Sequence, residues 1–412
     1  MADTVQPRDA KDVEAAVQWA LAESKTVEIV GHGSKRAIGR PAQTDVTLDL
    51  STLTGVTLYE PEELVLSAKA GTPLAEIEAL LAANRQQLAF EPMDYAGVLG
   101  GVAGRGTIGG ALAANVSGPR RLKSGAGRDH FLGFCAVSGR GENFKSGGRV
   151  VKNVTGYDLC KLIAGSWGTL AAMTEVTIKV LPRPETEQTL LIRGLEPARA
   201  VEAMTCAMGS SCDVSGAAHL PAGVAGRIAD ELGGGAVTAL RLEGFSPSVV
   251  ERKRTLETLM KAFGELATAE APRSRAFWKA VRDVTPFAAD RSNLSPRQDE
   301  RPLWRISTAP SRGAELAAMI AKGAQAQMFY DWAGGLIWVA LGASDDAGAA
   351  LVRRAVAATG GHATLIRAPA SVRAAIGVFA PQDAAVAALT KRVKESFDPK
   401  GVLNPGRMWA GV

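Results

Sequence analysis

The sequence predicts an α+β protein of two domains, the second built on a mainly antiparallel sheet. Three observations predict it. Short alternating apolar runs recur through residues 1–182, interleaved with helical periodicity. The tripeptide 182–184 (PRP) is a hard stop and sets the expected boundary between domains 1–182 and 183–412. Beyond it, strand-like runs alternate with helical runs that return the chain to the same sheet. A length of 412 residues suits two or three domains.

The elements follow in order. Val13, Ala16, Val17, Ala20 and Leu21 share one face of a helix over 12–22. The run 26–30 (TVEIV) reads as a strand and leads straight into 31–35 (GHGSK). Strands are expected at 45–50, 55–59 and 63–69. The turn 71–73 (GTP) starts a helix, with Thr72 as N-cap, Pro73 at the first helical position, and Leu74, Ile77 and Leu81 on the buried face. After a glycine-rich zone, 165–170 (GSWGTL) leads into a strand over 173–181. In the second half, strands are expected near 188–192, 236–242 and 336–341. Helices are expected near 197–208, 247–263, 313–322, 349–358 and 382–397. The tail 397–407 (FDPKGVLNPGR) is turn chemistry throughout.

Composition excludes several classes. Aromatics make up 5% of the chain and no basic block is interleaved with them, so the pI near 9.0 does not argue for nucleic acid. There is no signal-peptide layout at the N-terminus and no run of eighteen apolar residues, so no span is expected. Cys135, Cys160, Cys206 and Cys212 match no zinc or iron–sulfur spacing and read as thiols in a reducing cytosol. His32, His130, His219 and His362 are not paired at a metal-ligand spacing, so no metal site is expected.

The glycines are concentrated. Fifteen of 45 fall within residues 97–148, centred on 103–118 (AGRGTIGGALAANVSG). Between Pro119 and Lys161 nine Lys/Arg face three acids, an excess of six against the chain's net charge of +5. Glycine costs backbone entropy, and what it returns is close approach and a cradle of peptide N–H groups for an anion. Residues 104–109 (GRGTIG) are a literal G-x-G-x-x-G. They follow no strand, and about twenty residues on lie Arg128 and Asp129 within a basic run, so the motif does not argue for a Rossmann loop. A Walker A loop is absent, since 118–124 (GPRRLKS) lacks the glycine before the lysine. Residues 31–35 read either as a simple turn or as a second cradle. Two such loops on one chain suit a single extended dinucleotide.

The motifs 107–110 (TIGG), 115–118 (NVSG), 147–159 (GGRVVKNVTGYDL) and 165–170 resemble, in order, those of the PCMH-type FAD-binding (vanillyl-alcohol-oxidase) family. The last two, with 397–399 (FDP) and 404–407 (NPGR), resemble its 2-hydroxy-acid branch. The runs 277–282 (FWKAVR), 303–307 (LWRIS) and 331–338 (DWAGGLIW) are similar to the FAD-binding subunits of glycolate oxidases. The resemblance implies a first domain of two α/β subdomains that binds FAD, and an α+β second domain with a flavin-side closing tail at 397–407.

The resemblance also implies roles. Gly31, His32, Gly33, Ser34 and Lys35 would hold the pyrophosphate. Thr107, Gly109, Gly110, Asn115, Ser117 and Gly118 would follow the ribityl chain and isoalloxazine. Arg128 and Asp129 occupy family positions after the serine-glycine loop, and Val176 and Ile178 would border the adenine. The histidine that tethers flavin in some relatives aligns with Ser34, so FAD is expected to be non-covalent. The implied reaction is oxidation of glycolate to glyoxylate, with electrons passing to an iron–sulfur subunit and a sister FAD subunit carrying the metal-dependent site. Arg305, Tyr330, Asp331 and Arg407 are the polar candidates for contact with a small 2-hydroxy acid. The missing histidine cluster leaves two alternatives: a self-sufficient hydroxy-acid or polyol oxidase, and an assembly subunit with a vestigial FAD site. The expected location is the cytoplasm, reaching the inner membrane only through a partner.

Overall fold

A computed structural model describes residues 3–149, 156–228, 234–289 and 301–412; positions 150–155 of the motif at 147–159 lie outside them. The first helix runs Ala10–Ala22, starting two residues before the expected start at Asp12. Asp9 sets that start, its carboxylate accepting from the N–H groups of Lys11 and Asp12. The strands Asp3–Val5 and Val27–Val30 flank Val46–Asp49 in a parallel three-stranded sheet. The second helix begins at Leu74 with Pro73 in the cap position. Thr72 does not cap it. Its hydroxyl donates to the Lys69 carbonyl at 2.7 Å and accepts from Gly55 N–H at 3.0 Å, tying the helix entry to the preceding turns.

A five-stranded antiparallel sheet comes next, in the order Val56–Glu60, Val65–Lys69, Ala171–Lys179, Phe131–Ser138, Asn143–Gly147. The last two strands lie inside the glycine-rich zone and were not expected there.

From Thr186 onward the chain builds an eight-stranded sheet, antiparallel at every described pairing. Side chains alternate between its faces. Leu190, Leu240, Ile306, Tyr330, Ile337 and Leu365 pack under the helices Pro197–Met208, Ser246–Met260, Gly313–Gly323 and Ala349–Thr359. Ala218, Ala239, Phe329, Leu336, Trp338 and Ile366 point the other way. They share one core with Phe90, Ile108, Leu112 and Val176 of the first half. The architecture is therefore α+β, with the inner face of the large sheet laid against the glycine-rich segment.

The tail returns to the start of the chain. Val402 and Leu403 are buried with Val13, Val17 and Leu48. Asn404, at φ +43°, accepts from Ile29 N–H at 2.8 Å and donates to the Trp167 carbonyl at 2.7 Å. One side chain thus clamps the Val27–Val30 strand to the 165–170 loop.

Candidate functional site

Two clefts open where these layers meet. The first, about 710 Å³, is lined by all five residues Gly31, His32, Gly33, Ser34 and Lys35, by Thr107, Gly109 and Gly110, and by Trp167, Met173 and Arg407. Two of its glycines, Gly31 and Gly109, are required by contact. A Cβ on Gly31 would stand 2.8 Å from Thr107 Oγ1, and one on Gly109 would stand 2.8 Å from both the carbonyl oxygen and the Cβ of Ala70. Thr107 is held in turn by its hydroxyl, which caps the helix Ile108–Ala113 by accepting from Gly110 N–H.

Cations gather at this cleft without matching anions. Burial pushes the Lys35 ammonium down to about 8; Arg407 reinforces that shift and Asp94 opposes it. Arg407 donates from Nη2 to the Lys35 carbonyl at 3.0 Å and lies 5.6 Å from the centre of the Trp167 ring. Its Nε is buried and has no hydrogen-bond partner among the described residues. Glu28 lies 3.9 Å from Arg407 but is bound more closely by Arg36. His32 rests against the Arg105 guanidinium at 3.4 Å. A loop of small residues with no room for a Cβ at Gly31, beside a lysine and an arginine with unused donors, fits an extended anionic cofactor.

The second cleft, about 1190 Å³, adjoins the first, and Ala114 and Trp167 line both. Asn115, Ser117 and Gly118 form one wall. Arg305, Asp331, Trp332, Trp338 and His362 come from the inner face of the large sheet, and Tyr95 and Arg121 from the first half. The wall is braced from behind. Asn115 Oδ1 accepts from Arg128 N–H, Ser117 Oγ from Gly127 N–H, and the Gly118 carbonyl from Trp332 Nε1 at 3.0 Å. Burial pushes the Asp331 carboxyl up to about 7, with Glu91 reinforcing the rise and a hydrogen bond from Trp332 N–H opposing it. His362 is held below its ordinary value by burial and by Arg305, Arg121 and Arg353.

Several expected site residues stand elsewhere. Tyr330 faces the helix-covered side of the sheet, because neighbours along a strand alternate. Its ring packs 5.7 Å from that of His219, whose own pKa burial lowers to about 4. Arg407 belongs to the first cleft and not beside Arg305. Val176 and Ile178 line neither cleft. Both are 0% exposed in the central strand of the five-stranded sheet, paired on each side. The Arg128 and Asp129 side chains are also outside: Asp129 accepts from Ala126 N–H and pairs with Lys161 at 3.3 Å. In the sequence Arg121 stands out only as part of the basic run, and Tyr95 belongs to no motif. Nothing in the spacing of those residues marked them, since the cleft joins segments more than two hundred residues apart. Among the described residues, no three of His, Cys, Asp or Glu lie where one metal ion could be held.

Below these clefts an ion network joins the two halves. Arg241, 1% exposed, donates to Glu91 at 2.9 and 3.1 Å, and Arg120 binds Glu243 at 2.7 Å.

The geometry can be set beside known proteins. A family described as FAD binding domain matches residues 2–147. The glycolate oxidase subunit GlcE of Escherichia coli K12 is 34% identical over 96% of this chain and 95% of its own length. The glycolate oxidase subunit GlcD of Bacillus subtilis 168 is 46% identical, over 21% of this chain and 18% of its own. Among solved structures, 4-ethylphenol oxidase from Gulosibacter chungangensis superposes with a TM-score of 0.71 at 13% identity, covering 99% of this chain and 89% of that one, a likeness of fold. No helix among the described residues is long and apolar enough to cross a membrane.

Proposed function

Because the chain belongs to the family of glycolate oxidase subunit GlcE, among the FAD-dependent oxidoreductases of the glycolate oxidase and hydroxy-acid dehydrogenase group, we propose that it is the FAD-binding subunit of a complex oxidising glycolate to glyoxylate. In this reading a sister FAD subunit and an iron–sulfur subunit complete the complex, and the iron–sulfur subunit takes the electrons onward. The complex works in the cytoplasm and meets the inner membrane only through a partner.

One observation carries the reading: the continuity of the two clefts at Ala114 and Trp167. The first would hold the diphosphate of FAD, with the peptide N–H groups of Gly31 to Lys35, the Lys35 ammonium and Arg407 supplying the donors. In the second, Asn115, Ser117 and Gly118 would lie along the redox-active ring, opposite the polar groups of the large sheet. FAD, when bound there, supplies the acceptor for two electrons from the substrate carbon. The chain's own residues orient the acid, screen it from water behind Trp332 and Trp338, and hold a proton near the hydroxyl.

The test is the visible spectrum of the purified chain. A yellow protein whose flavin band bleaches on anaerobic addition of glycolate supports the reading; a colourless protein overturns it. Acid precipitation should release the colour into the supernatant, since Ser34 offers no histidine tether. Colour retained in the pellet would refute the non-covalent assignment.

A further inference from the structure

The second cleft carries more positive charge than the protein neutralises. Arg121, Arg282 and Arg305 line it. Arg282 is already paired: it forks onto Asp283, with both contacts at 2.9 Å, and approaches Glu78 at 3.7 Å. Arg121 and Arg305 form no ion pair among the described residues. Both guanidiniums instead lie over the Trp332 ring, 4.7 and 5.0 Å from its centroid. That contact leaves their N–H donors without acceptors.

The facing acid is Asp331, 2% exposed, and among the described residues its carboxylate accepts one hydrogen bond, the 2.7 Å bond from Trp332 N–H. With Asp331 ionised, as it is above about pH 7, two fixed positive charges and one carboxylate leave the cleft short of a single negative charge. A monocarboxylate supplies it. A second carboxylate would find no further unpaired arginine there, because Arg282 is occupied.

We propose that Arg121 and Arg305 form the carboxylate subsite of this cleft and that Asp331 accepts a hydrogen bond from the ligand's hydroxyl, selecting small 2-hydroxy monocarboxylates over plain ones. This rests on the function proposed above and names the residues that choose its substrate.

The experiment uses the FAD-loaded chain with its flavin reduced beforehand and kept anaerobic, so that glycolate is bound but not consumed. Calorimetric titration at pH 8 compares glycolate with acetate; Asp331 is then mostly ionised, Arg241 and Arg305 favouring the anion and Glu91 opposing it. Arg121→Gln and Arg305→Gln should each weaken glycolate binding by about tenfold or more, the loss of one charge-assisted hydrogen bond. Asp331→Ala, which removes the acceptor, should bring glycolate close to the acetate affinity while leaving acetate bound. If a Gln variant fails to take up FAD, Arg121→Lys and Arg305→Lys keep the charge and should lose affinity less steeply. Unchanged glycolate affinity in both arginine variants, or glycolate bound no better than acetate by the unaltered chain, overturns the subsite while FAD binding stands. An unaltered chain without FAD overturns both readings.

Discussion

Asp398 is the residue whose loss should spread furthest. It is 1% exposed and accepts from Lys394 Nζ at 2.7 Å, Val402 N–H at 2.9 Å and Leu403 N–H at 2.8 Å. Asp398→Ala would strand a buried ammonium and two buried peptide donors. Removing one partner of a buried pair costs about 3–5 kcal/mol, and each unpaired donor alone about 1–3 kcal/mol. Lys394 would keep the carbonyls of Thr169 and Leu403, at 2.6 and 2.9 Å, so the terms do not simply add. The expected loss is about 3–5 kcal/mol. The damage also reaches the first cleft, because Leu403 and Asn404 hold the Val27–Val30 strand and the Trp167 loop in place. The assay is a denaturant melt followed by tryptophan fluorescence, with bound FAD measured on the same samples. Lys394→Met combined with Asp398→Ala should cost less than the two single losses together. A loss below about 1 kcal/mol for Asp398→Ala, within the range of an exposed ion pair, with FAD content unchanged, would refute the reasoning.

Other outcomes follow from the clefts and the network below them. Lys35 must be charged to bind a phosphate, and burial has lowered it to about 8. In the FAD-free chain the ammonium is present below that pH and lost above it. FAD affinity measured by fluorescence quenching should therefore fall as pH rises through and beyond about 8, and Lys35→Met should flatten the profile. Gly109→Ala places a methyl 2.8 Å from the Ala70 carbonyl, so it should cost about 1–3 kcal/mol in a denaturant melt and lower FAD content. Glu91→Ala leaves Arg241, 1% exposed, without its bidentate partner and should destabilise by about 3–5 kcal/mol, with Arg241 retaining Glu243 at 3.4 Å. A cost near zero would show that Arg241 relaxes onto Glu243 alone.

Local chemistry made much of the fold legible. The strand at Val27–Val30, the helices Pro197–Met208 and Gly313–Gly323 and the antiparallel character of the large sheet all follow from apolar period and from proline and glycine punctuation. Where neighbours compete, the sequence misleads. Thr72 looks like a cap but bonds to Lys69 and Gly55. The strands Phe131–Ser138 and Asn143–Gly147 hide among glycines. The first cleft was readable because a cradle of peptide groups is encoded in consecutive small residues. The second was half readable: Arg305 and Asp331 stood in recognisable runs, but Tyr330 is turned to the helix side by strand alternation and Arg407 is carried off by the tail.

By itself the sequence determined many of the helices and strands, the glycine loops and the excess of positive charge beside them, because each depends on residues within a few positions of one another. Only the tertiary structure decided that Arg121 and Arg305 meet over Trp332, that Asp331 faces them, and that Asn404 clamps the Val27–Val30 strand to the 165–170 loop. Those contacts span sequence separations that no period or spacing encodes, and burial between the layers is what gives them their electrostatic weight.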